Sequence, residues 1–196
     1  ISNHLYNRIM WANSPKDYEN FCRKVLDESR DGIIADIGCG TLASTYKAYA
    51  ENSNKDLYLC DLSLEMIKIG KQRIEKLLGN SFNIKYLRSD ALNMPFKDNA
   101  VQTVFSFGIF HIFEEPQKLI QEFHRILEAG GKIFLTSLCT DRKFSGKYLN
   151  MRHKKGHVAK PMSSIEIMAI IEENGFHVNE YKVKGGMMYI SGTKSK

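Results

Sequence analysis

Absences narrow the reading first. The 196-residue sequence holds only four cysteines, Cys22, Cys39, Cys60 and Cys139, and no C-x-x-C pair. That excludes the usual spacing of a zinc site and speaks against a disulfide framework; reduced thiols of a cytosol fit better. No apolar run approaches the roughly 18 residues of a membrane span, and the first residues lack the apolar block of a signal peptide. The chain therefore reads as soluble, intracellular and cytoplasmic. It begins at Ile1 without a methionine, which leaves open a further segment upstream. There is no internal repeat, no low-complexity tract and no dividing linker. With 43% hydrophobic and 26% charged side chains, residues 1–196 are expected to close one core as a single domain.

Acids are missing from one stretch. Residues 142–160 carry Arg142, Lys143, Lys147, Arg152, Lys154, Lys155 and Lys160 without an Asp or Glu, a local +7 in a chain whose total is +6. The surplus belongs to that segment, and the remainder sums to −1. A solvated connection is the ordinary fate of such charge; a cover drawing in an anionic substrate and a nucleic-acid contact are the functional alternatives. His153 and His157 stand four apart, but two lysines and a glycine lie between them, so no metal is expected.

Periodicity supplies the architecture. Ser14-Pro15-Lys16-Asp17 matches a capping box, and Tyr18, Phe21, Cys22, Val25 and Leu26 follow at helical spacing. IIADI (33–37) is apolar throughout, as in a central parallel strand covered on both faces, and a helix over about 43–52 should follow. The unit repeats: DLYLCD (56–61) is a strand, Ser63 caps the next helix, and Gly79-Asn80 closes it. FNIKYLRSD (82–90) and VQTVFSFGIF (101–110) hold two more strands. Pro116 suits a first helical position, and Gly130-Gly131 reads as that helix's stop before a fifth strand at 132–138. Ser163 to Glu166 form another capping box, with Gly175 as the stop. FHVNEYKVK and MMYISG flank Gly185-Gly186 as an antiparallel hairpin. This is an α/β pattern: a doubly wound, mostly parallel sheet with helices on both faces and an antiparallel hairpin at its C-terminal edge. The expected division is an N-terminal helical lid or cap at 1–30, a cofactor-binding core at 31–140, a basic insertion at 141–162, and a last helix with the hairpin at 163–196.

Ligands of such a sheet bind outside the C-terminal ends of its strands. Asp36 falls near that end of the first strand, and Gly38 and Gly40 permit a tight turn and close approach. The helix beyond presents its N–H groups. G38-C-G40-T-L-A43 also satisfies the loose dinucleotide pattern, with Asp61 near the spacing of a ribose-binding acid. On that motif alone an NAD(P)-dependent oxidoreductase stays open. Two acids separate the readings: Asp36 would repel a pyrophosphate, and Asp90 ends the third strand. Three acids on successive strand ends suit a ligand with an ammonium, a diol and an amino-purine. Each also has a plainer role, Asp61 as a helix cap, Asp36 as a loop brace and Asp90 as a turn acid.

Taken together, D-I-G-C-G-T, C-D-L-S, S-D-A-L-N-M-P-F, V-F-S-F-G-I-F-H-I-F and L-E-A-G-G-K-I-F-L-T-S resemble a class I S-adenosylmethionine-dependent methyltransferase. The small-molecule type that includes quinone-biosynthesis enzymes is the most similar. The resemblance spans residues 33–138 and implies a Rossmann-like, seven-stranded sheet. It implies methyl transfer from S-adenosylmethionine to a small organic acceptor by in-line displacement, leaving S-adenosylhomocysteine. Carried over by position, Asp36, Gly38, Cys39 and Gly40 surround the methionine part of the cofactor. Asp61 takes the ribose hydroxyls, with Leu62 and Met66 nearby. Asp90 takes the adenine amino group beside Ala91 and Leu92, and Ser106 and Phe107 line the methionine end. Cys39 is expected to pack there, not to react.

His111 is the general-base candidate by position, or else a polar residue lining the acceptor pocket. Tyr6 and Trp11 are expected over the acceptor as a lid, or as core. S-F-G-I after the fourth strand lacks the [DNS]-P-P-[YFW] turn of amino-directed nucleic-acid methyltransferases. A small acceptor is therefore expected, anionic if the basic segment covers the site. Two positions depart from the family: its third glycine is Leu42, and the acid opening strand four is Gln102. They keep open a binding module without catalysis, in contact with RNA through the basic segment.

Overall fold

A computed structural model describes residues 14–29, 31–79 and 83–195. Tyr6 and Trp11, the expected lid residues, lie outside the described residues. Helix α1 (Pro15–Glu28) starts where its cap is written: the Ser14 hydroxyl accepts from Asp17 N, and the Asp17 carboxylate accepts from Ser14 N. Orphan donors at the helix start are thus satisfied locally. β1 (Ile33–Ile37), α2 (Tyr46–Glu51), β2 (Asp56–Asp61), α3 (Leu64–Leu78) and β3 (Ile84–Arg88) follow. Next come β4 (Val101–Phe107), α4 (Pro116–Ile126), β5 (Leu127–Leu138) and α5 (Lys143–Lys154). α6 (Ser164–Glu173), β6 (Phe176–Lys184) and β7 (Met187–Lys194) end the series.

The seven strands lie in the order β3-β2-β1-β4-β5-β7-β6. β7 runs antiparallel to β5 and to β6, and every other pairing is parallel. Winding reverses between β1 and β4, which opens a crevice at the C-terminal ends of those strands. Two cores clamp the sheet. On one face Ala35, Ile37, Val104 and Leu135 meet Leu119 and Phe123 of α4 and Ile167 and Ile171 of α6. On the other, Ile34, Leu59 and Phe105 meet Val25 and Leu26 of α1, Tyr49 of α2 and Ile74 of α3. Burial of each such side chain is worth roughly 1.5–3 kcal/mol, so the strand ends are held firmly from both sides.

Three expectations are corrected. α2 starts at Tyr46 instead of near residue 43, because Leu42 takes a φ of +55° and residues 43–45 turn before the helix begins. Gly130-Gly131 do not stop α4, which ends at Ile126. β5 begins at once, pairing Leu127 with Val101, and the register resumes only at Lys132 opposite Thr103. The glycines sit in the resulting bulge, where a Cβ at Gly131 would come within 3.0 Å of Glu128 O. Third, the basic run is no simple loop: most of it forms α5. Its buried side is only Ser145, Gly146 and Leu149, too little apolar character to give a periodic signal. A Cβ at Gly146 would lie 3.1 Å from Thr140 O, so the helix packs tightly on the chain leaving β5.

Gln102 opens β4 at the end of the sheet away from the crevice. Its Oε1 accepts from Ile33 N at 2.6 Å and its Nε2 donates to Glu128 at 2.8 Å. It therefore clamps β1, β4 and the β5 bulge and does not anchor a ligand. Gln102→Ala is expected to lower the unfolding free energy in urea by about 1–3 kcal/mol, the cost of unpairing the Ile33 amide. S-adenosylhomocysteine affinity should be unchanged in titration calorimetry; a weakened affinity would show that the clamp reaches the crevice.

Candidate active site

β1 carries Asp36 to the crevice from within the core. The residue is 3% exposed. The Tyr49 hydroxyl donates to Oδ2 at 2.7 Å, while Oδ1 is buried with no partner among the described residues. Burial above all pushes the Asp36 pKa up from 3.8 to about 7; the Tyr49 bond opposes the shift, and the nearby Asp61 charge adds to it. A carboxylate with one unbonded oxygen in such surroundings is a receptor for a cation.

The chain leaves β1 through Gly38 (φ +77°) and Gly40 (φ +59°). Gly38 N and Cys39 N both donate to Cys60 O, at 2.8 and 2.9 Å, fixing the turn on the end of β2. A Cβ at Gly38 would strike the Ile109 side chain at 2.6 Å, so only glycine lets the loop beyond β4 close over it. Burial, then the charges of Asp36 and Asp61, push the Cys39 thiol pKa up and keep it protonated. Leu42, the departure from the family's glycine, keeps a glycine-like φ of +55°. That conformation costs about 1–2 kcal/mol for a residue with a Cβ. The side chain is 2% exposed and packs over Gly70, so burial holds the strained backbone in place.

Asp61 braces the turn and the next helix together. Its Oδ2 accepts from Gly40 N and its Oδ1 from Ser63 N, both at 2.8 Å. Each oxygen still has a free lone pair, so the cap and ligand roles coexist. Ser89 N donates to Asp61 O at 3.0 Å, which sets the end of β3 beside it. Asp90 follows, exposed, with Oδ1 accepting from Leu92 N at 2.9 Å. Leu62, Met66 and Leu92 leave apolar surface bare beside these acids, at 64%, 42% and 38% exposure. Asp36, Asp61 and Asp90 thus stand at or just past the C-terminal ends of three adjacent strands, along one rim.

At the C-terminal end of β4, Ser106 is buried, and among the described residues its hydroxyl has no hydrogen-bond partner. Phe107 faces the other side, stacked on Phe105 and packed against Phe21 and Tyr18. Tyr18 escaped the sequence reading, which saw only an apolar helix position. Its hydroxyl accepts from Thr136 Oγ1 at 3.3 Å and donates to Met187 Sδ at 3.4 Å, beside Gly108. Only the joining of β4, β5 and β7 in space shows that a polar group of α1 reaches the crevice. His111 sits on the short 3₁₀ turn Phe110–Ile112, where its Nδ1 accepts from Leu138 N at 3.5 Å. Burial lowers its pKa to about 4. The ring is therefore neutral, and with Nδ1 accepting, Nε2 carries the hydrogen.

Residues 35–135 match the family model described as a methyltransferase domain. The chain belongs to the class I S-adenosylmethionine-dependent methyltransferases. Membership sets aside the oxidoreductase that the glycine turn left open. Demethylmenaquinone methyltransferase of Paenarthrobacter aurescens (strain TC1) is 33% identical over 132 residues, covering 67% of this chain and 48% of that protein. The probable tRNA methyltransferase 9B of Bos taurus is 27% identical over 157 residues, covering 78% of this chain and 30% of that one. The chain therefore spans half or less of the length of these curated relatives. Among solved structures, the geranyl diphosphate C-methyltransferase from Streptomyces coelicolor A3(2) shares the fold. That structure is a complex with Mg2+, geranyl diphosphate and S-adenosyl-L-homocysteine; its TM-score is 0.72 at 15% identity, over 92% of this chain and 77% of that one. The class uses S-adenosylmethionine, and the unbonded Asp36 oxygen fits its ammonium group.

The Asp36 environment gives a pH signature. Between 3.8 and about 7 the folded, ligand-free protein holds a proton that the unfolded chain has released. Stability from this group is therefore greatest at low pH and falls as pH rises through that window, a loss complete above about 7 and at most about 4 kcal/mol. Asp36→Asn, which cannot ionise, should raise the melting temperature more at pH 8 than at pH 5 in scanning calorimetry. It should also weaken S-adenosylhomocysteine binding by about tenfold or more, the cost of a lost charged hydrogen bond. An equal melting shift at both pH values would show that Asp36 is already ionised in the ligand-free protein.

Proposed function

We propose that this domain transfers a methyl group from S-adenosylmethionine to a small organic acceptor. The observation that carries the reading is the buried Asp36 carboxylate, unbonded at one oxygen, beside a glycine turn. A folded core retains such a group when a cation completes it. Asp36 holds the ammonium, with Gly38, Cys39 and Gly40 around the methionine part. Asp61 takes the ribose diol, and Asp90 with Ala91 and Leu92 takes the adenine. Leu62 and Met66 cover the nucleoside, and Ser106 and Phe107 lie at the methionine end. When bound, the cofactor supplies a methyl carbon already activated by its sulfonium. Placement and exclusion of water are then the work of the chain, worth up to roughly 7–11 kcal/mol.

Tyr18, Phe107 and Tyr189 form an aromatic wall beside the strand ends, which supports an apolar, ring-bearing acceptor. Similarity to a demethylmenaquinone methyltransferase points the same way. His111 serves the acceptor either as a general base or as a donor through Nε2–H. His111→Gln separates the two, since an amide keeps the donor and loses the base. Retained turnover with an unchanged pH profile assigns the donor role; a loss of about 10²–10⁴ in turnover assigns the base. A tRNA acceptor is the second reading, favoured by similarity to the probable tRNA methyltransferase 9B.

Titration calorimetry with S-adenosylhomocysteine and with NAD tests the cofactor, with binding expected for the first alone. Incubation with labelled methyl donor, quinone head-group compounds and bulk tRNA tests the acceptor. Label in the solvent-extracted organic fraction is expected. Label in precipitated RNA would replace the small acceptor, and no binding of S-adenosylhomocysteine would overturn the function.

A further inference from the structure

α5 keeps its bulky and charged groups on one side. At about 100° per residue, Lys143, Lys147, Asn150 and Lys154 share an arc with Phe144 and Met151, opposite the buried Ser145, Gly146 and Leu149. Phe144 and Met151, two turns apart, stand together on that arc at 69% and 43% exposure. Lys147 lies on one flank of the pair, and Lys155, just past the helix end, extends the other. Lys147, Asn150, Met151, Lys154 and Lys155 line a shared depression. Among the described residues the ammonium groups of Lys143, Lys147, Lys154 and Lys155 take part in no ion pair or hydrogen bond. An apolar pair ringed by unpaired ammonium groups has no role in folding.

Its chemistry selects a partner. Nucleic-acid recognition favours planar arginine forks and several stacking rings. The fully exposed arc of α5 offers lysines and a single ring, Phe144, while Tyr148 and Arg152 stand half-buried at its edge. Lysines with long stems around an apolar wedge are instead the makeup of an interfacial helix, and a polybasic cluster on such a helix is drawn to anionic lipid. We infer that the outer side of α5 docks this domain on an anionic lipid bilayer. Phe144 and Met151 enter the interface, and the four lysines meet the headgroups. This surface stands apart from the methyl-transfer reading, but its location bears on it. Ser145 Oγ donates to Cys139 O, and Ala159 N donates to His111 O, so α5 and its trailing segment rest on the crevice end of the sheet. Docking would set the acceptor side of the crevice near the bilayer.

The test is sedimentation of the full chain with phosphatidylcholine vesicles, with and without phosphatidylglycerol, alongside the variants Lys147→Glu/Lys154→Glu and Phe144→Ser/Met151→Ser. Binding is expected only with the anionic vesicles, declining with salt, and weakened by about tenfold or more in each variant. S-adenosylhomocysteine affinity should be unchanged in both, which shows that they fold and keeps the result separate from the methyltransferase function. No binding to anionic vesicles, equal binding by either variant, or displacement from vesicles by tRNA at matched salt would overturn the proposal.

Discussion

The crevice depends on one incomplete electrostatic arrangement, the Asp36 carboxylate carried into the core by β1. Tyr49 bonds one oxygen, and none of the described residues bonds the other. Two acids near each other, Asp36 and Asp61, raise the cost of ionisation further. The surrounding sheet has to be rigid for that state to persist, and it is clamped by a core on each face. In the function proposed above, the same cost that makes the ligand-free protein less stable at neutral pH would be relieved by a cationic ligand brought to Oδ1. On that proposal, stability and binding pull against each other at this residue.

The departures from the family's pattern show how the turn is preserved by other means. Leu42 occupies a backbone conformation that glycine adopts freely, and its side chain, wedged over Gly70, offsets the strain by burial. Gln102 replaces an acid but finds two partners at the far end of the sheet. Neither change opens the crevice. Both shift the load from backbone freedom or charge to packing and hydrogen bonding, which act locally.

What the sequence revealed followed the range of the interaction. The capping boxes at Ser14 and Ser163 are contained within four residues and are present as read. The apolar strand at 33–37 and the strand at 56–61 matched because both faces are covered, which writes itself as a continuous apolar run. The acids at 36, 61 and 90 could be located on the sheet because each lies at or just past the C-terminal end of its own strand. Tyr18 could not, since its place beside Thr136 and Met187 depends on α1 lying across β4, β5 and β7. The bulge at residues 128–131 was hidden because a glycine pair after a helix reads equally well as a stop. α5 was hidden because its inner side is Ser145, Gly146 and Leu149, a face made narrow by close approach to Thr140.

Charge is partitioned in the same spatial terms. Acids gather on the rim formed by β1, β2 and β3, while the basic surplus rides on α5 beyond β5. The groups that shift Asp36 are Tyr49 and Asp61, and no lysine of α5 is among them. Exposed lysines are also screened over about 8–10 Å at physiological salt. The cationic helix therefore neither relieves nor loads the buried carboxylate. One device can hold a cationic cofactor while the other meets an anionic partner, because low dielectric confines the first to the core and water confines the second to the surface. That independence is a consequence of α5 being a helix with an outer side. The same seven basic residues in a loop folded over the crevice would have brought cations of the chain itself to the buried Asp36 carboxylate.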